Sequence, residues 1–398
     1  MDAYLIDWAN LLLRWAHVIF AIAWIGSSFY FVFLDNSLLP PTDPGLKARG
    51  VDGELWAVHG GGFYNPQKYM VAPKTIPEHL HWFYWESYST WLSGFALFSV
   101  LYLFQAGSFL VDRNVHDWSA SAAVVASLAF LVVFWLLYDA VCRIFGQRQG
   151  GDRIVGVLVA LIVVLAAWLA CRLFAGRAAF LLVGAMMATA MSANVFFWII
   201  PGQKKVLAQM KAGQPVDPIH GQRAKQRSVH NTYFTLPVLF AMLSNHYGFL
   251  YGGQHNAVVL VLLMAAGALV RHFFVARHKS LVLGKPPPWA YAVTSVLLVG
   301  AVVGWLAPVS QPLAEAPKSV NFAQVRHVID QRCVLCHNAQ VVNKNVQLHT
   351  PALIEKNAQA LYQQAVVLKT MPLNNATQIT DEERAVLKAW YESGAKLQ

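Results

Sequence analysis

The stretch that decides the fold is residues 154–174, IVGVLVALIVVLAAWLACRLF, in which Arg172 is the one charged residue. A helix crossing the hydrocarbon core takes about 20 consecutive apolar residues. The run is too long and too uniformly apolar for a barrel strand. Working outward, seven further segments read the same way: 9–34, 87–106, 120–140, 178–200, 232–250, 256–276 and 289–308. Lipid cannot satisfy backbone polar groups, so these segments must be helices. The chain reads as all-α, a polytopic membrane helix bundle of about eight spanning helices.

Composition agrees. Hydrophobic residues make up 57% of the 398 and charged residues 13%, against roughly 25% charged in soluble domains. The apolar excess ends near Pro308. The net charge is +10, and most of it lies beside the apolar blocks. That placement suits anionic lipid and membrane topology, not nucleic acid, for which no motif is present. Loops on one side of the expected bundle carry 17 Lys and Arg, those on the other 4. The rich side is expected in the cytoplasm, which puts both termini outside it. Met1-Asp2-Ala3-Tyr4 lacks the features of a cleaved signal peptide, so the first apolar stretch reads as a retained span.

Beyond the bundle, residues 309–318 read as a Pro- and Ala-rich linker, and 319–398 as a small helical domain. Cys333-Val-Leu-Cys336-His337 has the C-x-x-C-H spacing of covalent haem c attachment. Two thiols three positions apart on one helical turn can both reach the haem vinyl groups. The adjacent His337 then ligates the iron. A methionine is a frequent sixth ligand, and Met371 is the only one after Met264. Thr380-Asp381-Glu382-Glu383 reads as a capping box opening an amphipathic helix with Val386, Leu387, Trp390 and Tyr391. Together these predict a class I-like cytochrome c. The competing reading, a zinc site, wants more Cys or His at ligand spacing, and only His349 is near.

Ionisable residues inside the expected spans are site candidates. Asp139 closes the third span. By depth the histidines sort into an outer pair, His17 and His246, and an inner group, His79, His81, His230 and His272. His17 and His246 are the candidates for ligating a haem b. The alternative is that each histidine only hydrogen-bonds a neighbouring helix. The first loop carries His59-Gly60-Gly61-Gly62-Phe63-Tyr64 before His79, His81 and Glu86. Three glycines permit close backbone approach to a ligand; a hinge with an interface belt of aromatics explains them equally.

Several motifs carry a resemblance. Arg14-Trp15-Ala16-His17 with Trp24-Ile25-Gly26, Gly60-Gly61-Gly62-Phe63-Tyr64, Leu80-His81-Trp82-Phe83 and Trp91-Leu92-Ser93-Gly94 are among them. Thr235-Leu236-Pro237-Val238-Leu239-Phe240 and Ser244-Asn245-His246-Tyr247 complete the set. In this order, and with a fused cytochrome c, the chain resembles the bacterial membrane-bound urate hydroxylases over essentially its whole length. The resemblance implies oxidation of urate to 5-hydroxyisourate, with electrons leaving through the cytochrome and no peroxide formed. A soluble cytochrome or terminal oxidase would accept them, and the setting would be the cytoplasmic membrane. No catalytic residues carry over from it. From the residues themselves, Glu86, His79 and His81 are the candidates for taking a proton from urate. Two other classes compete: a general quinol-oxidising electron carrier, and a transporter with an appended redox sensor.

Overall fold

The computed structural model describes residues 3–70, 73–307, 320–339, 346–375 and 377–397. It is 71% helical with few strands. The chain opens with α1 (Ala3–Ser37), whose 35 residues extend about 50 Å at 1.5 Å per residue. Leu5, Leu11, Trp15, Ile19 and Ile22 on this helix are exposed. An apolar surface this continuous needs a cover, which lipid would supply.

Between α1 and the next long helix come α2 (Pro44–Ala48), capped by the Asp43 carboxylate, and two short hairpins. β1 (Gly53–Glu54) pairs with β4 (Gln67–Lys68), and β2 (Ala57–His59) pairs with β3 (Gly62–Tyr64), all antiparallel. Gly60 and Gly61, both at positive φ, are the two central residues of the inner hairpin. That is what a two-residue turn matching strand twist requires. A Cβ added at either would meet nothing within 4 Å. The turn accounts for both glycines.

The bundle continues with α3 (Trp85–Phe98), a π-helical extension over Ser99–Leu103, and α4 (Ala106–Phe109). Then come α5 (Ala120–Phe145), α6 (Gly151–Leu173), α7 (Gly176–Ala193), a second π segment over Asn194–Ile199, and α8 (Ile200–Lys211). The second π segment precedes Pro201, which has no N–H to give the Phe197 carbonyl and crowds it sterically. A wider turn relieves both problems. α9 (Pro218–Leu243), α10 (Gly248–Tyr251), α11 (Asn256–Val282) and α12 (Trp289–Trp305) complete the bundle.

Among the described residues, five helices are long and apolar enough to cross a membrane: Tyr4–Ser37, Ala120–Phe145, Gly151–Leu173, Gly176–Lys211 and Asn256–Val282. The three other expected spans are also helical but weaker in this respect. α3 is followed by its π extension, α9 is polar over its first half, and α12 has only 17 residues.

α7 is the centre of the core. Ala178, Ala179, Phe180, Leu182, Val183, Met186, Met187 and Ala190 are all buried. Small residues let neighbouring backbones close in: a Cβ at Gly184 would lie 2.8 Å from Ala241 Cβ on α9.

The tail packs a separate core of Val325, Val328, Ile329, Leu348, Ile354, Leu361, Leu387 and Trp390. Its elements are α13 (Phe322–Arg332), α14 (Pro351–Lys356), α15 (Ala358–Leu361) with a π turn over Tyr362–Val367, and α16 (Asp381–Glu392). The capping box at Thr380 forms as the sequence predicts: Glu383 N–H donates to Thr380 Oγ1 at 3.2 Å, and Thr380 N–H to Glu383 Oε2 at 2.9 Å. The linker expected at 309–318 lies outside the described residues.

Candidate functional site

The tail residues form a compact arrangement. α13 ends at Arg332, and the chain keeps turning: Cys336 N–H donates to Cys333 O at 3.1 Å and His337 N–H to the same carbonyl at 3.0 Å. His337 Nδ1 lies 2.9 Å from the Val346 carbonyl. A carbonyl only accepts, so Nδ1 is the donor and Nε2 is the ring atom left for a metal. That orientation by a second group is how metal-ligating histidines are held. On the other flank, Met371 N–H donates to Gln364 O at 3.0 Å, and Arg384 Nη1 donates to Met371 O at 2.9 Å. Arg384, itself buried, also donates to the Ala365 carbonyl. The same guanidinium therefore pins both ends of the methionine loop. These residues fit a covalent haem: two thiols, an imidazole with Nε2 available, and a thioether on a fixed loop.

Charge holds the same region together. Arg332 grips the Glu383 carboxylate side-on, Nε to Oε2 at 3.0 Å and Nη2 to Oε1 at 2.9 Å. Burial pushes the Glu383 carboxyl up, but the Arg332 and Thr380 hydrogen bonds outweigh it and hold it below the usual range. The Lys369 hydrogen bond and charge do the same for Asp381.

Inside the bundle, a polar network lies toward the end where Arg143 and Arg148 emerge. Arg227, 3% exposed, donates from Nη2 to Asp139 Oδ1 at 2.7 Å and from Nη1 to Asn194 Oδ1 at 3.3 Å. Trp198 Nε1 donates to the same Asp139 oxygen at 2.7 Å. Tyr138 hydroxyl bonds His230 Nδ1 at 2.8 Å and accepts from Asn194 Nδ2 at 2.9 Å. Asn194 also donates to Asn231 Oδ1 at 2.9 Å. Charge and hydrogen-bonding capacity are matched here, as an interior position demands. Asp139 and His230 are thus brought together, in a holding role.

The remaining candidates are dispersed. Glu86 opens α3, and its Oε2 is buried without a hydrogen bond among the described residues. His79 and His81 are exposed in the segment before α3. The His81 ring meets Phe83 edge-on at 4.6 Å, and Phe83 in turn meets Phe31 of α1 at 4.9 Å. His17 Nδ1 lies 3.1 Å from Thr90 O and 3.2 Å from Ser93 Oγ, both on α3. Gly94 makes room for that ring, since a Cβ there would stand 2.7 Å from His17 Cε1. His246 is exposed on the 3₁₀ turn that ends α9. No hydrogen bond or ring contact joins it to His17 among the described residues. His272 bonds the Tyr233 hydroxyl through Nδ1 at 2.7 Å and meets Tyr291 edge-on at 4.3 Å.

Two residues that matter were missed by reading the sequence. Arg227 and Arg271 count there as loop charges, yet they are 3% and 5% exposed within α9 and α11. The signal was available for Arg271: His-Phe-Phe-Val-Ala follows it before the apolar segment ends.

This is a helical bundle of the membrane-protein type, with a charged pair neutralised in its interior and a second small helical unit after it. The family described as Urate oxidase N-terminal matches residues 3–307, and the chain belongs to that family. Membership ties it to urate-related oxidoreductase chemistry. No curated protein and no solved structure matches the chain.

Proposed function

We propose that the chain oxidises urate to 5-hydroxyisourate and delivers the electrons to a covalent haem c on its tail, without forming peroxide. The observation that supports this is a continuity. A bundle of the urate oxidase N-terminal family runs, in one chain, into a Cys333-x-x-Cys336-His337 turn whose histidine presents Nε2. Bound at that turn, haem supplies a one-electron acceptor. Cys333 and Cys336 would carry its thioethers, and His337 and Met371 would be its axial ligands.

The reaction balances as urate plus water giving 5-hydroxyisourate, two protons and two electrons. The oxidant is a ferric c-type cytochrome, two equivalents per urate, reoxidised by a soluble cytochrome or terminal oxidase. Glu86 is the group we assign to proton removal. Its carboxylate oxygen is buried and unengaged at a helix start, whereas His79 and His81 are open to water. A base in that setting keeps its lone pairs for the substrate. His17 and His246 stay the candidates for ligating a b-type haem, His17 through Nε2 because its Nδ1 already bonds α3.

We place the bundle in the bacterial cytoplasmic membrane with about eight spans, the Arg- and Lys-rich end in the cytoplasm and the tail on the periplasmic side. The tail's position is consistent with this. Thr370, next to Met371, lies against Gly248, at the end of the bundle opposite Arg143 and Lys279.

The test is turnover by detergent-purified full chain with urate and ferric cytochrome c in the absence of oxygen. Urate loss with two cytochromes reduced per urate is expected, falling about a hundredfold or more in Glu86→Gln. Stoichiometric peroxide in air would sink the proposal. Reduction by quinol but not by urate would select the general electron carrier.

A further inference from the structure

We infer that Arg271 is a docking group for a planar anion that offers two adjacent acceptor atoms. Resting on the proposed function, that anion is urate, held by an N–C=O edge.

Among the described residues two arginines are buried in the bundle, and they differ in one respect. Arg227 has a carboxylate, an amide oxygen and a backbone carbonyl around it. Arg271, 5% exposed, has no hydrogen bond from Nε or Nη2 among the described residues. Those two nitrogens share one edge of the guanidinium. It is the edge with which Arg332 of this chain grips Glu383 side-on, at 2.9–3.1 Å. The unengaged donors of Arg271 are therefore a complete bidentate fork, the geometry that matches carboxylates and other paired acceptors.

The surroundings fix how a ligand would meet it. The guanidinium carbon lies 3.7 Å from the centre of the Phe29 ring, so α1 covers one face of the group. The fork must then be approached at its edge, in the guanidinium plane. Tyr233 of α9 lies within electrostatic range. Its hydroxyl is fixed by His272, which packs on Tyr291 of α12. Three helices thus meet at the arginine, α11 itself, α1 through Phe29 and α9 through Tyr233, with aromatic rings as the flat walls and a few polar groups among them. That is the composition of a site for a flat heterocycle.

Among the described residues no carboxylate pairs with Arg271, so an anion completes the site where a cation would be repelled. Arg271 is also six residues from Arg277 and eight from Lys279, about 9–12 Å along α11. Their positive field leads an anion inward from the basic end.

An unpaired buried charge is a burden on the free protein. This gives a readout separate from binding. The experiment is equilibrium dialysis of radiolabelled urate against the detergent-purified, dithionite-reduced full chain, with melting temperature measured without ligand. Arg271→Gln and Arg271→Met are expected to lose affinity tenfold or more while melting at or above wild type. Arg271→Lys, which keeps the charge but not the fork, falls between. Urate bound within twofold of wild type by Arg271→Gln, or by Arg271→Lys, overturns the inference. So does lost binding that comes only with a lowered melting temperature, reproduced by Phe29→Leu. If wild type binds no urate but binds benzoate, and Arg271→Gln loses it, the anion site stands and the urate assignment falls. Wild type binding neither would overturn both.

Discussion

Replacing Asp139 by Asn tests whether the interior network is held by charge neutralisation. The exchange keeps volume and leaves an oxygen for Trp198 Nε1, now 2.7 Å from Asp139 Oδ1. What it removes is the counter-charge of Arg227, 3% exposed and 2.7 Å from the same oxygen. Asn194 Oδ1, at 3.3 Å, cannot neutralise a guanidinium. Arg143, 3.7 Å from Asp139 and largely exposed, turns to solvent on its own. The loss is therefore an uncompensated buried cation, costing about 3–5 kcal/mol. At about 2–4 °C per kcal/mol for units of 150–250 residues, melting falls by roughly 10 °C. Thermal unfolding of the detergent-solubilised full chain, followed by tryptophan fluorescence, measures it. Removing both charges, with Asp139→Leu and Arg227→Met together, should restore most of the loss, because the penalty is the unpaired charge and not the missing bond. Asp139→Asn melting within 1–2 °C of wild type, or a double variant worse than either single, would refute the reasoning.

Gly184→Leu should destabilise the bundle by about 1–3 kcal/mol, because even its Cβ would stand 2.8 Å from Ala241 Cβ; the same unfolding assay reads it. Gly61→Val, at φ +83, should strain the hairpin turn by about 1–2 kcal/mol, read by the same unfolding assay. Calorimetry of the tail's transition should show acid lability. Glu383 and Asp381 titrate lower folded than unfolded, so they stabilise the tail above about pH 4, and the contribution fades as pH falls through their folded values. Glu383→Gln should lower tail melting at pH 7 and flatten its pH dependence, whereas the exposed Lys369–Asp381 pair should matter little.

Where one local rule was sufficient, the sequence was legible. The 154–174 run, the Thr380 capping box and the Cys333–His337 turn each depend on neighbours in the chain, and each forms as expected. Depth inside the bundle was less legible. α1 runs from Ala3 to Ser37, so His17 is the fifteenth of its 35 residues, and its partners Thr90 and Ser93 sit about midway along α3. His246 lies on the turn after α9 has ended, a boundary that the apolar pattern did not mark. The glycine run was ambiguous for a related reason: close approach and a tight turn leave the same composition, and the φ values add the turn. Arg227 and Arg271 were hidden because lysines and arginines near a helix end count as loop charges. Burial depends on which helix stands opposite, and no single segment records that.

The most direct measurement of the central claim is the visible spectrum of the anaerobic, purified full chain on adding urate. The account predicts a thioether-linked haem, defined by its pyridine haemochrome, whose reduced α band grows as urate is consumed and is absent in Cys333→Ala. Urate consumed without that band, or a protein with no covalently attached haem, would contradict it.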